Sequence, residues 1–279
     1  DLSHVKALRW PAAIISLALL ALNLFAAREV FGAKNWLTIA GFSLQPSELI
    51  KVAFIYVGAT SINRMFRSKS ILLFIAFSSQ LSCTIQAVYA AREELLAKYP
   101  ERKFIVVDTL SISGPMTQLV LKAHEMYRAG KPMEEVAQWV EDNKLRAQAW
   151  FTVDDLKYLK RGGRLSATSA ALGTMLDLKP IITEGRNGKL LSTDKVRGRK
   201  QALRTLAELA AQNIDDPAEA EMYVLHADAP EDADRLAQLL REKIPGLGNI
   251  STRYVGPVIG AHCGPGTVAV CFFGKERPY

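Results

Sequence analysis

Three cysteines and four histidines in 279 residues are too few, and too scattered, for a disulfide scaffold or a metal cluster. Cys83, Cys263 and Cys271 show neither an even-numbered framework nor ligand spacing, which implies reduced thiols in a cytosol-like setting. His4, His124, His226 and His262 are too dispersed to suggest zinc. No GxSxG, P-loop or HExxH string occurs, and "GRLSATSAALG" lacks the spacing of a dinucleotide fingerprint. Nor is there a fixed-period repeat or a low-complexity tract. These absences remove the commonest enzyme templates. The first residue is Asp rather than Met, which suggests a fragment or a processed chain.

What is present divides unevenly. The chain is 49% hydrophobic with a net charge of +7. Residues 1–80 hold eight Lys and Arg against three acids, whereas the remainder is nearly balanced. A basic excess confined to the apolar first third reads as membrane flanks and gives no reason to expect nucleic-acid binding. Residues 10–27, "WPAAIISLALLALNLFAA", form an 18-residue uncharged run between Arg9 and Arg28, close to the minimum for crossing a core of roughly 30 Å. A signal peptide or a buried core helix are the rival readings. A second apolar segment follows "QPSELIK", where Pro46, Ser47 and Glu48 suit a helix entry. Membrane contact through residues 10–63 is therefore expected.

From residue 71 the pattern changes to strands alternating with helices. "ILLFIAF", "KFIVVD" and "AWFTVD" are short apolar runs, and "EMYVLHAD", "ISTRYVG" and "TVAVCFFG" follow in the last third. Between them lie helical stretches such as "MTQLVLKAHEMYRAG" and "RKQALRTLAELAAQN". Asn187-Gly188 marks a hairpin turn. The expected class is α/β, with a mixed or parallel sheet covered by helices.

Two loops carry the chemistry. "SSQLSCT" places Ser78, Ser79, Ser82 and Thr84 between a buried strand and a helix, where hydroxyls and free N–H groups can hold an anion. Plain capping of the helix by one serine is the alternative. "GPVIGAHCGPGTVAV" sets His262 among glycines that let the backbone approach a ligand, or is a turn-rich loop with an incidental histidine. His124 reads as a surface residue and His226 as a structural one.

Two family resemblances attach to these strings. "GAKNWLTIAGFSLQPSELIKVAFIYVGA" resembles the loop and helix of cell-wall polymerases of the FtsW/RodA type, over about the first 75 residues. Such polymerases are multi-spanning, and the piece here has no counterpart of the family's catalytic loop. "FSSQLSCTIQA", "KFIVVDTLSIS", "VDDLKYLKRGGRLS", "LGTMLDLKPIIT", "GKLLSTDKVRGRKQAL" and "VGPVIGAHCGPGTVAVCFFG" resemble the DegV family along residues 71–279. That resemblance implies a two-lobed α/β fold whose apolar tunnel holds one long-chain fatty acid. The protein would present the acid's carboxylate to a separate fatty-acid kinase and would not itself be an enzyme, with no cofactor or metal.

By the same resemblance, Ser79, Ser82 and Thr84 donate to the carboxylate, His262 stands on its other side, and Arg164 faces the kinase. Cys83 and Ile85 depart from the family's usual "SGTY" string, and a bulky Cys83 is expected to crowd the ligand. The family's N-terminal strands are expected to be missing, their place taken by the polymerase-like segment. The two resemblances meet in "SILLFIAFS", between residues 70 and 79, which suggests a chimera. The implied domains are residues 1–70, a helical membrane-like leader; 71–165, a partial N-terminal lobe; and 166–279, the C-terminal lobe. Residues 71–279 are expected in the cytoplasm, with a membrane anchor through the leader. A truncated polymerase fragment and a non-functional fusion are the alternatives.

Overall fold

The computed structural model describes residues 11, 14, 28–30, 33–39, 42–44, 71–164 and 178–279. It divides into two units, Asp1–Leu72 and Leu73–Tyr279. In the first unit, β1 (Arg28–Val30), β2 (Ala33–Ile39) and β3 (Phe42–Leu44) form an antiparallel meander, with Val30 opposite Ala33 and Ile39 opposite Phe42. These strands fall between the two segments expected as helices, mostly in the stretch that the polymerase resemblance reads as a loop. The aromatic and β-branched run "WLTI" favours a strand once a neighbour supplies its hydrogen bonds. Among the described residues no helix is long and apolar enough to cross a membrane. The two expected spans lie outside the described residues, apart from Pro11 and Ile14, which are both helical.

β4 (Ile71–Ala76), of which all but the first two residues belong to the second unit, pairs with β5 (Lys103–Asp108), and α1 (Thr84–Lys98) connects them. Next come α2 (Ser113–Arg128), α3 (Met133–Asn143), β6 (Ala147–Thr152) and the short α4 (Lys157–Arg161). The remainder runs β7 (Leu178–Glu184), β8 (Leu190–Arg197), α5 (Arg199–Asn213), β9 (Glu221–Ala227), α6 (Pro230–Lys243), β10 (Asn249–Tyr254), α7 (Pro257–Cys263) and β11 (Thr267–Phe273). Six strands form a mixed sheet in the order β10-β9-β11-β6-β7-β8. Only β9 and β10 run parallel, because α6 carries the chain back between them, and β11 returns antiparallel between β9 and β6.

Successive residues of these strands serve opposite faces. Trp150, Ile181, Val224, Val268, Val270 and Phe272 pack under α5 and α6 with Leu203, Leu206, Leu236 and Leu240. Their neighbours Ala149, Phe151, Ile182, Leu225, Ala269 and Cys271 face the other way, toward Leu81, Leu156 and Leu159. A sheet covered on both faces has strands buried along nearly their whole length, as β6 and β11 are, although β6 includes Gln148 and Thr152. On that second face α2 comes so near that a Cβ at Gly114 would sit 2.6 Å from Cys271 Sγ, so a glycine is required there.

The segment around His262, expected as a loop, folds as α7. Pro257 occupies the first turn, where its missing N–H costs nothing, and Gly264 ends the helix at φ 83°.

Candidate functional site

Three segments distant in sequence meet over the second face of the sheet. The first leaves β4, makes a turn through residues 77–83 and enters α1. Within it Ser78 is fully buried and donates to the Gly188 carbonyl at 2.9 Å, a structural bond. Ser82 and Thr84 share a hydroxyl–hydroxyl hydrogen bond of 2.8 Å, and the Thr84 N–H donates to Ser82 Oγ at 3.3 Å. Both hydroxyls thus stand together at the start of a 15-residue helix, whose first N–H groups carry partial positive charge.

The second segment is α4 with its glycine-rich exit. Arg164 donates from Nε to the Leu81 carbonyl at 3.1 Å and from Nη1 to the Gly162 carbonyl. The guanidinium is thereby tied to the serine loop. The third is α7, which places His262 so close to Gly162 that a Cβ on that glycine would lie 2.4 Å from the imidazole Nδ1.

These side chains border one cavity of about 380 Å³, lined by Ser82, Thr84, Arg164 and His262 and otherwise by apolar groups. Phe77 and Leu81 come from the serine loop, Ile112 from the loop before α2, Leu159 from α4, Leu190 from β8, and Val258, Ile259 and Cys263 from α7. The volume falls within the roughly 300–1,000 Å³ usual for small-molecule sites. Burial, and then the positive charge of Arg164, lower the His262 pKa, which favours the neutral imidazole with one N–H to give. Burial pushes the Cys263 thiol up to about 11, so it lines the wall as an inert apolar group.

Four of the five residues that the family resemblance assigned to the site therefore line one cavity. Ser79 does not line the cavity: its N–H donates to Asp108 Oδ1 at 3.2 Å and its hydroxyl accepts from Gln80. Cys83 is exposed, has an ordinary φ of −77° and lies outside the lining, so the crowding expected of it does not arise at the wall. His124 is exposed on α2. His226 is buried, accepts the Ala229 N–H at 3.3 Å and packs 4.3 Å from the Tyr254 ring, a structural setting. The apolar lining went unread in the sequence, because Ile112, Leu159, Leu190 and Val258 look like any other core positions.

A larger hollow of about 570 Å³ lies beside Asp154, Asp155, Asp228, Glu231 and Asp232. Lys157 borders it too, Asp154, Asp155 and Asp232 are ion-paired with Lys179, Lys157 and Arg199, and none of the residues singled out from sequence borders it. Among the described residues no group of His, Cys, Asp and Glu is placed to hold a metal ion.

The sequence model of the DegV family matches residues 59–275. The chain belongs to the DegV family. A DegV domain-containing protein of Clostridium perfringens is 43% identical over 206 residues, covering 74% of this chain and 70% of that one. The crystal structure of DegV from Bacillus subtilis, described as a fatty acid binding protein, aligns with a TM-score of 0.64 and 28% identity over 78% of this chain and 75% of that one. The Fatty Acid Kinase B3 protein of Streptococcus pneumoniae, solved with linoleic acid, aligns with a TM-score of 0.69 over 78% and 76%; at 18% identity this likeness establishes the fold alone. A second family, the cell cycle proteins FtsW, RodA and SpoVE, matches residues 1–96 and so overlaps the DegV match across residues 59–96.

Proposed function

We propose that residues 71–279 bind one long-chain fatty acid, with the acyl chain among the apolar residues of the cavity and the carboxylate at its polar rim. One observation carries this reading: Ser82, Thr84, Arg164 and His262, from three separate segments, converge on a single otherwise apolar cavity. Each CH₂ withdrawn from water contributes about 0.8 kcal/mol, so an acyl chain gains enough to bind without specific polar contacts along its length. The head group needs donors, because a carboxylate placed against apolar walls loses its hydration. The free hydroxyl hydrogen of the Ser82–Thr84 pair, a neutral imidazole N–H and a guanidinium supply them. In this reading the fatty acid is ligand rather than substrate.

Presentation to a separate kinase is the finer part of the proposal. Arg164 is exposed on the cavity rim, where a partner taking up the carboxylate would meet it. The "KRGGR" resemblance supports this role. The leader is a second proposal: the cell-cycle family match over residues 1–96 favours a polymerase-derived, membrane-associated piece joined to the DegV domain.

Mass spectrometry of lipid extracted from the purified full chain tests the main reading. About one long-chain fatty acid per chain is expected, either as isolated or after incubation with palmitate and oleate. No bound lipid under either condition refutes it. Partition of the full chain between washed membranes and supernatant tests the leader, and recovery wholly in the supernatant removes the membrane proposal.

A further inference from the structure

Arg277, third from the end of the chain, is almost completely buried, as is Glu184 at the end of β7. Arg277 Nη2 lies 2.9 Å from Glu184 Oε2. The same guanidinium donates to the carbonyl of Leu110 at 2.7 Å, to the carbonyl of Ala147 from Nε at 3.0 Å and from Nη2 at 2.9 Å, to the carbonyl of Gly185 at 3.2 Å, and to Ser111 Oγ. Glu184 Oε1, for its part, accepts the N–H of Ile112 at 2.9 Å. Both partners therefore grip the loop 109–112, and the side chain of Ile112 forms part of the cavity wall.

That loop does not hold its shape by local preference. Leu110 and Ser113 have φ of 51° and 50°, a left-handed backbone that side-chain-bearing residues rarely adopt. Strain of this kind persists only where surrounding contacts impose it. Here they come from the Arg277–Glu184 pair together with Asp108, whose Oδ1 accepts the Leu110 N–H at 3.0 Å, and Thr109, whose hydroxyl accepts the Ser111 N–H at 3.2 Å.

We propose that Arg277 and Glu184 are positioning residues that fix the Ile112 wall of the cavity, so that the C-terminal segment governs how long an acyl chain is retained. The inference rests on the fatty-acid reading for its consequence, while its first half, the fixing of the loop, stands apart from any ligand.

Two measurements on the full chain separate these parts. Hydrogen exchange of residues 109–113 is followed without ligand, and release of the fluorescent fatty acid cis-parinaric acid is followed by dilution into albumin. The variants are Arg277→Lys, which keeps the charge but not the fork of donors, and the paired apolar replacement Glu184→Leu/Arg277→Met. In both, the loop is expected to lose at least tenfold in exchange protection and the probe to leave about tenfold faster, with circular dichroism unchanged. A paired variant that is folded, with wild-type protection and wild-type release, overturns the proposal. Should that variant fail to fold, Arg277→Lys decides by the same two readings. If the wild type takes up no probe, the fatty-acid reading fails, and the exchange data still decide whether the pair positions the loop.

Discussion

Ser78 Oγ and the Gly188 carbonyl, 110 positions apart, are joined by a buried hydrogen bond of 2.9 Å that ties the serine loop to the β7–β8 hairpin. Gly188 has φ 80°, and a Cβ there would fall 2.6 Å from Ser78 Oγ. Gly188→Ala meets both a backbone it rarely adopts and a collision. Ser78→Ala leaves a buried carbonyl without its donor. Each is expected to lower unfolding free energy by about 1–3 kcal/mol, read as a shift in denaturant midpoint. An unchanged midpoint in both would mean that the tie is not made.

Ser82→Ala and His262→Ala test the rim. Neither side chain is part of a buried cluster, so the fold should survive both changes. A hydrogen bond to a charged acceptor contributes about 1.5–3 kcal/mol, which corresponds to at least a tenfold loss of fatty-acid affinity for each. Titration with cis-parinaric acid measures it. Wild-type affinity in both variants would displace the carboxylate from this rim.

The sequence was legible where a residue's role depends on its near neighbours. The short apolar runs "AWFTVD" and "TVAVCFFG" marked β6 and β11, and Asn187-Gly188 marked the β7–β8 turn. Pro257 and Gly264 bracketed α7 as plainly, but the density of glycine around His262 disguised a seven-residue helix as a loop. Ser82, Thr84, Arg164 and His262 stood out through the polar strings that contain them and the family those strings resemble. Ile112 and Leu190 did not, since an apolar side chain reveals only that it is buried, not beside what. Arg277 was illegible for a different reason: its partners Leu110, Ala147 and Glu184 are distant in sequence, and no short pattern encodes that meeting.

Glu184 gives the protein a pH dependence of definite sign. Burial is the largest influence on its carboxyl and pushes the pKa up from 4.5 to about 7, with Arg277 opposing. The folded state then binds the proton more tightly than the unfolded state. Its contribution to stability is complete below about 4.5 and is lost as pH rises through about 7. At about 1.4 kcal/mol per pKa unit, the loss across that window is on the order of 3 kcal/mol. Glu184→Gln should flatten this component when unfolding free energies at pH 5 and pH 8 are compared. An identical pH slope in wild type and variant would show that Glu184 titrates as an ordinary carboxylate.

Gly162 offers a way to move His262 without removing it. The position has φ −69°, so alanine fits the backbone, yet its Cβ would lie 2.4 Å from His262 Nδ1. The imidazole must therefore turn away from the rim, while the exposed glycine-rich turn loses little stability. Gly162→Ala is expected to weaken fatty-acid binding about as much as His262→Ala does, with thermal unfolding close to wild type. Because both changes act through one imidazole, the double variant should bind no worse than His262→Ala alone, a non-additivity that a double-mutant cycle reads directly. Additive losses would place the effect of Gly162 elsewhere than in the imidazole.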